Sequence, residues 1–330
     1  MPKRMNKPQQ ILLTFDVEDW FQVENFKQWI PFTTWNSREL RVEQNVHRLL
    51  DLLDKGCGVR SGDHDQEGAC GSQEMAYDQK GPSCGRKARE GNLHDEESRN
   101  PIKATFFILT WIADRLPHVI KEIRSRGHEI ASHGCNHDLP SKMSIAELKV
   151  DLLGSKSRLE DTIGEKILGY RAPSFAIHDD ALKAVAECGY FYDSSYNSFG
   201  LQGRYGRINV KAGGNKGIAR RVSENFYELP ISNVELGKKV FPLGGGAYFR
   251  LLPWAVFYHG IKRILKHQGA YVFYFHPWEL DPDQPRIKEA SPNFKLRHYS
   301  NLSKTHKKLQ RLIRKFSHCD FVTCKEYLNT

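Results

Sequence analysis

Short apolar runs alternate along this chain with stretches of helical periodicity. The first run, ILLTF at residues 11–15, ends in the acids and aromatics of DVEDWF, which is typical of a buried strand that delivers polar side chains to a sheet edge. From Val42 to Lys55, apolar residues recur near helical spacing and stop at Gly56, which predicts an amphipathic helix. The chain therefore opens as strand and helix.

The same alternation continues beyond residue 101. Further strands are predicted for KATFFIL, HEIASH, KILGYRAP, FYELPIS and AYVFYFHPW. Helices are predicted over 117–126 closed by Gly127, over 144–163 opened by a capping box of Ser144 and Glu147, over 179–188 capped by Gly189, over 253–267, and over 302–316. This order favours an α/β fold with a mainly parallel sheet, either open and doubly wound or closed as a barrel. Because no GxGxxG or Walker A sequence follows a strand, the barrel is favoured.

Residues 56–101 interrupt this pattern. They contain eight glycines, many small polar residues and three of the seven cysteines, which predicts a disordered insertion. A zinc-binding module is the alternative, although the cysteine spacings match no known finger; its ligands would be Cys57, Cys70 and Cys84 with His64 or His94.

Charge and cysteine usage limit the partners and the cellular setting. The net charge is +10, and it arises outside residues 56–101, where acids exceed bases by nine to six. This excess and the basic helix over 302–316 are compatible with nucleic acid as a partner. No nucleic-acid motif supports it, so we expect no nucleic-acid binding.

The seven cysteines form no CxxC pair, and no secretory pattern follows Met1, so we expect a cytoplasmic protein, with peripheral membrane association left open. No apolar run is long enough to span a bilayer.

Four groups of polar residues follow predicted strands, as in barrel enzymes that assemble a site from several strand ends. His133 and His137 flank a turn at Gly134, which could bring both imidazoles onto one ion, although two surface histidines would have the same spacing. An acid from the first strand would complete three ligands and leave an open position, as in catalytic metal sites. The groups are Asp16, Glu18 and Asp19; His133 and His137; Arg171, Pro173 and Ser174; and His276 to Glu279.

Four of these segments carry a family resemblance. TFDVEDW, SHGCNH, GYRAPSF and FYFHPWE, in this order, resemble the successive motifs of the NodB-type polysaccharide deacetylases, carbohydrate esterase family four. GGGAYFRLLP and HPWELDPDQP are similar to the C-terminal part of the subgroup found at bacterial exopolysaccharide and exosortase loci. The resemblance implies a deformed (β/α)7 barrel over 1–280, interrupted by 56–101, with a basic C-terminal extension over 281–330 packing on it.

The resemblance also implies catalytic roles. Asp16 falls on the general base, Arg171 on the arginine that pairs with this base, and His276 on the general acid. Substrate contacts are expected from four further residues at strand ends: Pro173, Ser174, Trp278 and Tyr170.

A divalent metal ion is implied as cofactor, with Zn²⁺ favoured and Co²⁺ as an alternative. His133 and His137 fall on its histidine ligands. The family's usual pair of adjacent aspartates is replaced here by Asp16-Val17-Glu18-Asp19. Strand alternation places Glu18 on the face of Asp16, whereas Asp19 has the more usual side chain, so both stay open as the acidic ligand.

The expected reaction is removal of N-acetyl groups from an amino-sugar polysaccharide or its lipid-linked precursor, in exopolysaccharide biosynthesis. Two alternatives remain: an allantoinase-like amidohydrolase acting on small linear or cyclic amides, and an inactive glycan-binding relative. Cys135, between the two histidines, is expected to be a loop residue without a catalytic role.

Overall fold

The structure is a computed structural model that describes residues 8–56, 102–199, 206–209, 215–237 and 239–329. Apart from Gly56, the predicted insertion over 56–101 lies outside the described residues, and so does the alternative zinc-binding module within it.

Strands and helices alternate through the first 193 residues, which confirms the predicted α/β class. The strands are β1 (Gln10–Val17), β2 (Ala104–Ile108), β3 (Glu129–Ser132), β4 (Gly169–Tyr170), β5 (Tyr192–Asp193), β6 (Asn215–Lys216), β7 (Ala219–Ser223), β8 (Phe226–Glu228), β9 (Val234–Leu236), β10 (Lys239–Phe241), β11 (Ala270–Phe275) and β12 (Asp320–Phe321). The helices are α1 (Val42–Asp54), α2 (Thr110–Arg115), α3 (Pro117–Ser125), α4 (Ile145–Ile163), α5 (Asp179–Glu187), α6 (Gly246–Leu251), α7 (Trp254–Gln268), α8 (Pro292–Tyr299), α9 (Leu302–Lys315) and α10 (Cys324–Asn329).

A parallel sheet organises the fold. Its order is β11-β1-β2-β3-β4-β5-β8, and every pair along this path is parallel. β7 and β6 extend the sheet in antiparallel fashion beyond β8, β12 pairs with the start of β1, and β9 and β10 form a separate hairpin. Since parallel neighbours end at the same edge, the residues that follow β1, β3, β4 and β11 converge on one side of the sheet.

The chain segment that follows β8 runs beside β11, the strand at the other end of the sheet, so the sheet is curled. Ser232 N donates to Val272 O at 3.4 Å, and Tyr274 N donates to Gly244 O at 2.7 Å, so this segment borders β11. Gly245 approaches so closely that an added Cβ would lie 2.0 Å from Tyr274 O, and its φ is +130°. Only glycine fits there. The result is the deformed barrel that the sequence predicts.

Helix ends follow the predicted chemistry. The Ser144 hydroxyl accepts from Glu147 N at 3.2 Å, and Glu147 Oε2 accepts from Ser144 N at 2.8 Å, which completes the capping box of α4. Gly127 and Gly189 follow their helices with φ of +84° and +75°, as expected for residues just past a helix end.

Two predicted strands are much shorter than expected. Of KILGYRAP only Gly169–Tyr170 pairs, and of FYELPIS only Phe226–Glu228. Pro173 and Pro230 follow in the two segments, and because proline has no N–H to donate it cannot continue a central strand. The sequence does not predict α2, α6, α8, α10, or the β6–β7 and β9–β10 hairpins, which are short elements without a clear period. The division at residue 280 stays a prediction.

Candidate active site

Asp16 and Arg171 form a buried ion pair at the end of β1. Arg171 Nη1 donates to Asp16 Oδ1 at 2.7 Å, and both side chains are at most 3% exposed. Burial alone would raise the pKa of Asp16, but Arg171, with contributions from His133 and His276, holds it below its ordinary value. Asp16 is therefore a largely buried, ionised carboxylate.

The rest of the guanidinium of Arg171 is held in place by neutral groups. Nε donates to Ser194 O at 2.8 Å and Nη2 to Ser194 Oγ at 2.9 Å, while Nη1 also reaches Thr14 Oγ1 at 2.8 Å. The Phe107 ring lies 4.0 Å from the guanidinium carbon. These contacts hold the guanidinium of Arg171 in one orientation. Because Arg171 is bonded to Asp16, they also hold the Asp16 carboxylate in position.

His133 follows β3 directly and is oriented by the chain after β4. Its Nδ1 lies 2.8 Å from Arg171 O, and because a carbonyl oxygen can only accept, Nδ1 carries the proton. Nε2 therefore keeps a free lone pair, the form in which histidine binds metals. Burial lowers the pKa of His133 to about 4, so the ring is neutral.

The loop from His133 to His137 is held by the first amides of α2. Thr110 N donates to Gly134 O at 3.0 Å and Trp111 N to Cys135 O at 3.1 Å, which satisfies helix-end donors that would otherwise have no partner. Two positive φ values, +78° at Gly134 and +59° at His137, turn the loop back on itself. The two imidazole centroids consequently lie 5.5 Å apart.

Glu18 completes a three-residue group with these histidines. One ligand atom from each of Glu18, His133 and His137 lies within 4.8 Å of the other two, and all three residues are buried. Glu18 Oε2 lies 3.1 Å from His137 Nε2 and accepts no well-aligned hydrogen bond in the described part of the chain. Burial is the main cause that raises the pKa of Glu18 to about 7. A buried carboxylate oxygen without a hydrogen-bond donor among the described residues, beside two imidazoles, fits a divalent cation.

Asp19 is not brought to this group. Its Oδ2 accepts from Arg41 N at 2.7 Å and Val42 N at 2.9 Å, and its Oδ1 accepts from Trp20 N at 2.8 Å. The carboxylate thus caps the N-terminus of α1, where its charge also complements the helix dipole. The expectation that Asp19 could be the acidic ligand does not fit this geometry, because successive residues at the end of β1 point to opposite sides.

His276 follows β11 and lies opposite Arg171. Its Nε2 is 3.2 Å from Glu18 Oε1 and 3.9 Å from Asp16 Oδ2, and its Nδ1 is 2.9 Å from Glu279 Oε1. Burial disfavours the charged ring, but the carboxylates of Glu279, Glu18 and Asp16 outweigh burial and raise the pKa of His276 to about 9. His276 is therefore protonated at neutral pH.

Arg250 supports this histidine through Glu279. Arg250 Nε donates to Glu279 Oε2 at 2.6 Å, and both side chains are at most 1% exposed. Its Nη atoms donate to the carbonyl oxygens of three residues at the end of α8: Arg297, His298 and Ser300, at 2.9, 2.9 and 2.7 Å. The C-terminal part of the chain is thus connected to the site by one arginine.

A pocket opens over these groups. It is lined by Asp16, Glu18, His133, His137, His276 and Glu279, and by residues from the chain segments around them: Val23, Glu24, Asn25, Ser174, Phe175, Gly246, Ala247, Arg250, Tyr274, Trp278, Arg297 and His298. Trp278 stacks between His276 and His298, with ring centroids at 5.2 and 4.1 Å. Ser174 and Trp278, both predicted substrate contacts, therefore lie at the pocket.

Two other predicted substrate contacts lie elsewhere. Tyr170 is 1% exposed and packs in the hydrophobic core, with its ring 5.7 Å from that of Tyr190. Its position within β4 points it to the side of the sheet away from Arg171. Pro173 is buried and begins a short 3₁₀ turn. Neither is among the residues that line the pocket in the described part of the chain, so direct sugar contacts from these two residues stay a prediction.

Three pocket residues were missed by the sequence analysis. Glu279 was noticed beside His276 but received no role, Arg250 lies within GGGAYFRLLP, and His298 follows in the C-terminal extension. The spacing of Glu279, three residues after His276 and directly following a proline turn, is the signal that could have identified it. No local pattern marks Arg250 or His298.

Cys135 points away from the pocket. Its thiol donates to Asp151 O at 3.6 Å, and its amide donates to Asp151 Oδ1 at 3.1 Å. Burial raises the pKa of the thiol to about 12, so it is neither a thiolate nucleophile nor a thiolate ligand.

Two families match consecutive parts of the chain. The family described as "Polysaccharide deacetylase" matches residues 98–192, and one described as "Domain of unknown function (DUF3473)" matches residues 194–329. The first match contains His133, His137 and Arg171, and the second contains Arg250, His276 and Glu279. The pocket is built from both.

Curated relatives match over short segments. A peptidoglycan-N-acetylglucosamine deacetylase from Bacillus cereus is 35% identical over 88 residues, which is 27% of this chain and 41% of that protein. An uncharacterised Bacillus subtilis protein, YlxY, is 30% identical over 90 residues, which is 27% of this chain and 28% of that protein. The chain thus aligns with less than half the length of either relative.

A solved structure has a similar fold. The crystal structure of a candidate polysaccharide deacetylase from Mycobacterium smegmatis superposes with a TM-score of 0.55 at 18% identity, covering 98% of this chain and 88% of that one. Within the described residues, no helix is long and apolar enough to cross a bilayer. By its family matches, the chain contains a polysaccharide deacetylase domain over residues 98–192, followed over residues 194–329 by a domain of unknown function.

Proposed function

We propose that this protein is a metal-dependent hydrolase that removes N-acetyl groups from an amino-sugar polysaccharide or its lipid-linked precursor. One observation carries the proposal: the Asp16–Arg171 pair, the Glu18/His133/His137 group and His276 converge on a single pocket. The names of the Bacillus cereus relatives support N-acetylglucosamine as the sugar. The motifs shared with exopolysaccharide-locus relatives favour exopolysaccharide biosynthesis as the process.

Glu18, His133 and His137 would hold the metal ion. The donor set of two imidazoles and one carboxylate suits Zn²⁺, and Co²⁺ would also fit. When bound, such an ion acts as a Lewis acid that polarises the acetamide carbonyl and lowers the pKa of water in the site.

Asp16 acts as the general base. Its carboxylate is ionised because Arg171 lies against it, and Oδ2, which does not face Arg171, is the oxygen nearer to His276. This oxygen accepts the proton of the attacking water, and Arg171 keeps the carboxylate in position during the transfer. A carboxylate with a single orientation contributes through geometry as well as charge.

His276 acts as the general acid. An amine is a poor leaving group unless it is protonated, so the reaction needs a proton donor in the site besides the base. Glu279 receives Nδ1–H, which leaves Nε2–H at the pocket, near Glu18 and Asp16. The stacked indole of Trp278 holds the ring plane of His276.

The test is turnover of N-acetylglucosamine oligomers by the purified, metal-loaded protein, with released acetate and free amine as readouts. Asp16→Asn removes the base but keeps the shape, and we expect at least about a 1,000-fold loss of kcat. Asp19→Asn is the matched control, since this carboxylate caps α1, and its kcat should stay within about threefold of the wild type.

Two results would contradict the proposal. Turnover of small cyclic or linear amides, without turnover of the oligomers, would identify the allantoinase-like activity. Binding of oligomers without release of acetate, by protein that carries about one equivalent of metal, would identify a glycan-binding relative.

A further inference from the structure

A strongly basic surface lies on α7 and α9, and the proposed reaction makes no use of it. Neither helix contains an aspartate or a glutamate. Exposed cations line two shallow hollows: Lys304, Lys307 and Arg311 line one, and Lys262, Arg263 and Lys266 line the other. Within the described ranges, none of these six side chains forms an ion pair with a carboxylate.

Stacked side chains join the two hollows into one face. Arg311 lies 4.8 Å from the Trp254 ring, Trp254 stacks on Tyr258 at 5.8 Å, and Lys262 lies 5.5 Å from the Tyr258 ring. Tyr258 also contacts Phe316, at the end of α9, at 5.4 Å. The cations of both helices therefore face the same side; we call this surface, formed by the six cations with Trp254 and Tyr258, the α7–α9 face.

An exposed aliphatic side chain borders this face. Leu251 is 41% exposed, and it lines the same hollow as Lys304 and Arg311. Lys308 Nζ donates to Leu252 O at 2.7 Å, which fixes the backbone next to Leu251. A soluble polyanion needs only cations, whereas the interface of an anionic bilayer takes up cations, aromatic rings and short apolar chains together.

We propose that the α7–α9 face is a docking site for an anionic lipid bilayer, with Leu251 entering the interface and the cations contacting lipid phosphates. The proposal concerns where the protein is held, and it stands whether or not the pocket hydrolyses N-acetyl sugars.

The test is co-sedimentation of the full chain with phosphatidylcholine vesicles that contain 30% phosphatidylglycerol or none. We expect binding to the anionic vesicles alone. The triple variant Lys304→Gln/Lys307→Gln/Arg311→Gln should bind about 100-fold more weakly, since each cation near an anionic surface contributes about a factor of five. A matched triple of exposed lysines, Lys121→Gln/Lys166→Gln/Lys183→Gln, has the same net charge and should retain binding within about threefold.

The apolar contribution is tested without changing charge. Leu251→Ser should weaken binding to anionic vesicles about fivefold, with an unchanged thermal transition by circular dichroism. Equal loss of vesicle binding in the two triple variants, or no binding of the wild type to anionic vesicles, would overturn the proposal. Binding to soluble alginate or duplex DNA without binding to vesicles would overturn it in favour of a soluble polyanion.

Discussion

Replacing Arg250 with methionine tests the connection between the C-terminal segment and the barrel. The guanidinium is fully enclosed, neutralises Glu279 at 2.6 Å and donates to three carbonyl oxygens near the end of α8. Methionine keeps most of the volume but leaves the Glu279 carboxylate buried beside His276 alone. Removing one partner of a buried ion pair costs about 3–5 kcal/mol. The three carbonyl oxygens that lose their donor add only about 1–2 kcal/mol, because part of this chain segment is in contact with water.

We therefore expect Arg250→Met to lower the free energy of unfolding by at least about 4 kcal/mol. With a denaturant slope of about 5 kcal/mol/M, the guanidinium midpoint falls by about 0.8 M. The matched control is Arg286→Met, an exposed arginine on the Tyr299 ring, which should cost below about 1 kcal/mol.

The double variant separates the charge from the hydrogen bonds. Glu279→Gln removes the carboxylate that Arg250→Met leaves unpaired, so the double variant should be about 1–3 kcal/mol more stable than the sum of the two single losses. An Arg250→Met protein within about 1 kcal/mol of the wild type, or strict additivity in the double variant, would refute the reasoning, because a buried uncompensated charge cannot be that cheap.

Three further predictions concern the site and the insertion. Glu18→Gln should lower zinc affinity at least about 100-fold by elemental analysis after dialysis, whereas Asp19→Asn should keep about one equivalent and lose about 1–2 kcal/mol of stability at the start of α1; the reverse pattern would restore Asp19 as the ligand. Cys135→Ser should retain metal, since its thiol points at Asp151; loss of metal would place the thiol in the site. Deletion of 58–99 should leave the circular dichroism spectrum and acetate release unchanged, because the segment joins α1 to β2 and every residue with a proposed role in the reaction lies outside it; an insoluble product would argue otherwise.

The sequence by itself determined the elements whose signals are local. The period of α1 and α4, the Ser144 capping box and the glycines after α3 and α5 are short-range features, and the structure has each where predicted. α9 likewise buries Leu302, Leu309, Leu312 and Ile313. The convergence of Asp16, His133, Arg171 and His276 could be anticipated too, because parallel strands bring their carboxyl ends to one edge.

Tertiary structure alone decided which neighbouring side chain faces the site. Glu18 and Asp19 are adjacent acids, and only the position of α1, whose free amides take up the Asp19 carboxylate, separates the cap from the candidate ligand. Tyr170 and Trp278 are both aromatics near strand ends, yet one is enclosed by the core and the other lies at the pocket.

The partners of His276 could not be predicted from local sequence patterns either. Arg250 donates hydrogen bonds to Glu279, which lies 29 residues away in the sequence, and to the end of α8, which lies 47–50 residues away. A buried ion pair forms only when the whole barrel has closed, because a buried charge is strongly destabilising unless packing brings an opposite charge against it. Secondary structure and strand-end chemistry are encoded locally in this chain, whereas burial and pairing depend on how distant segments pack.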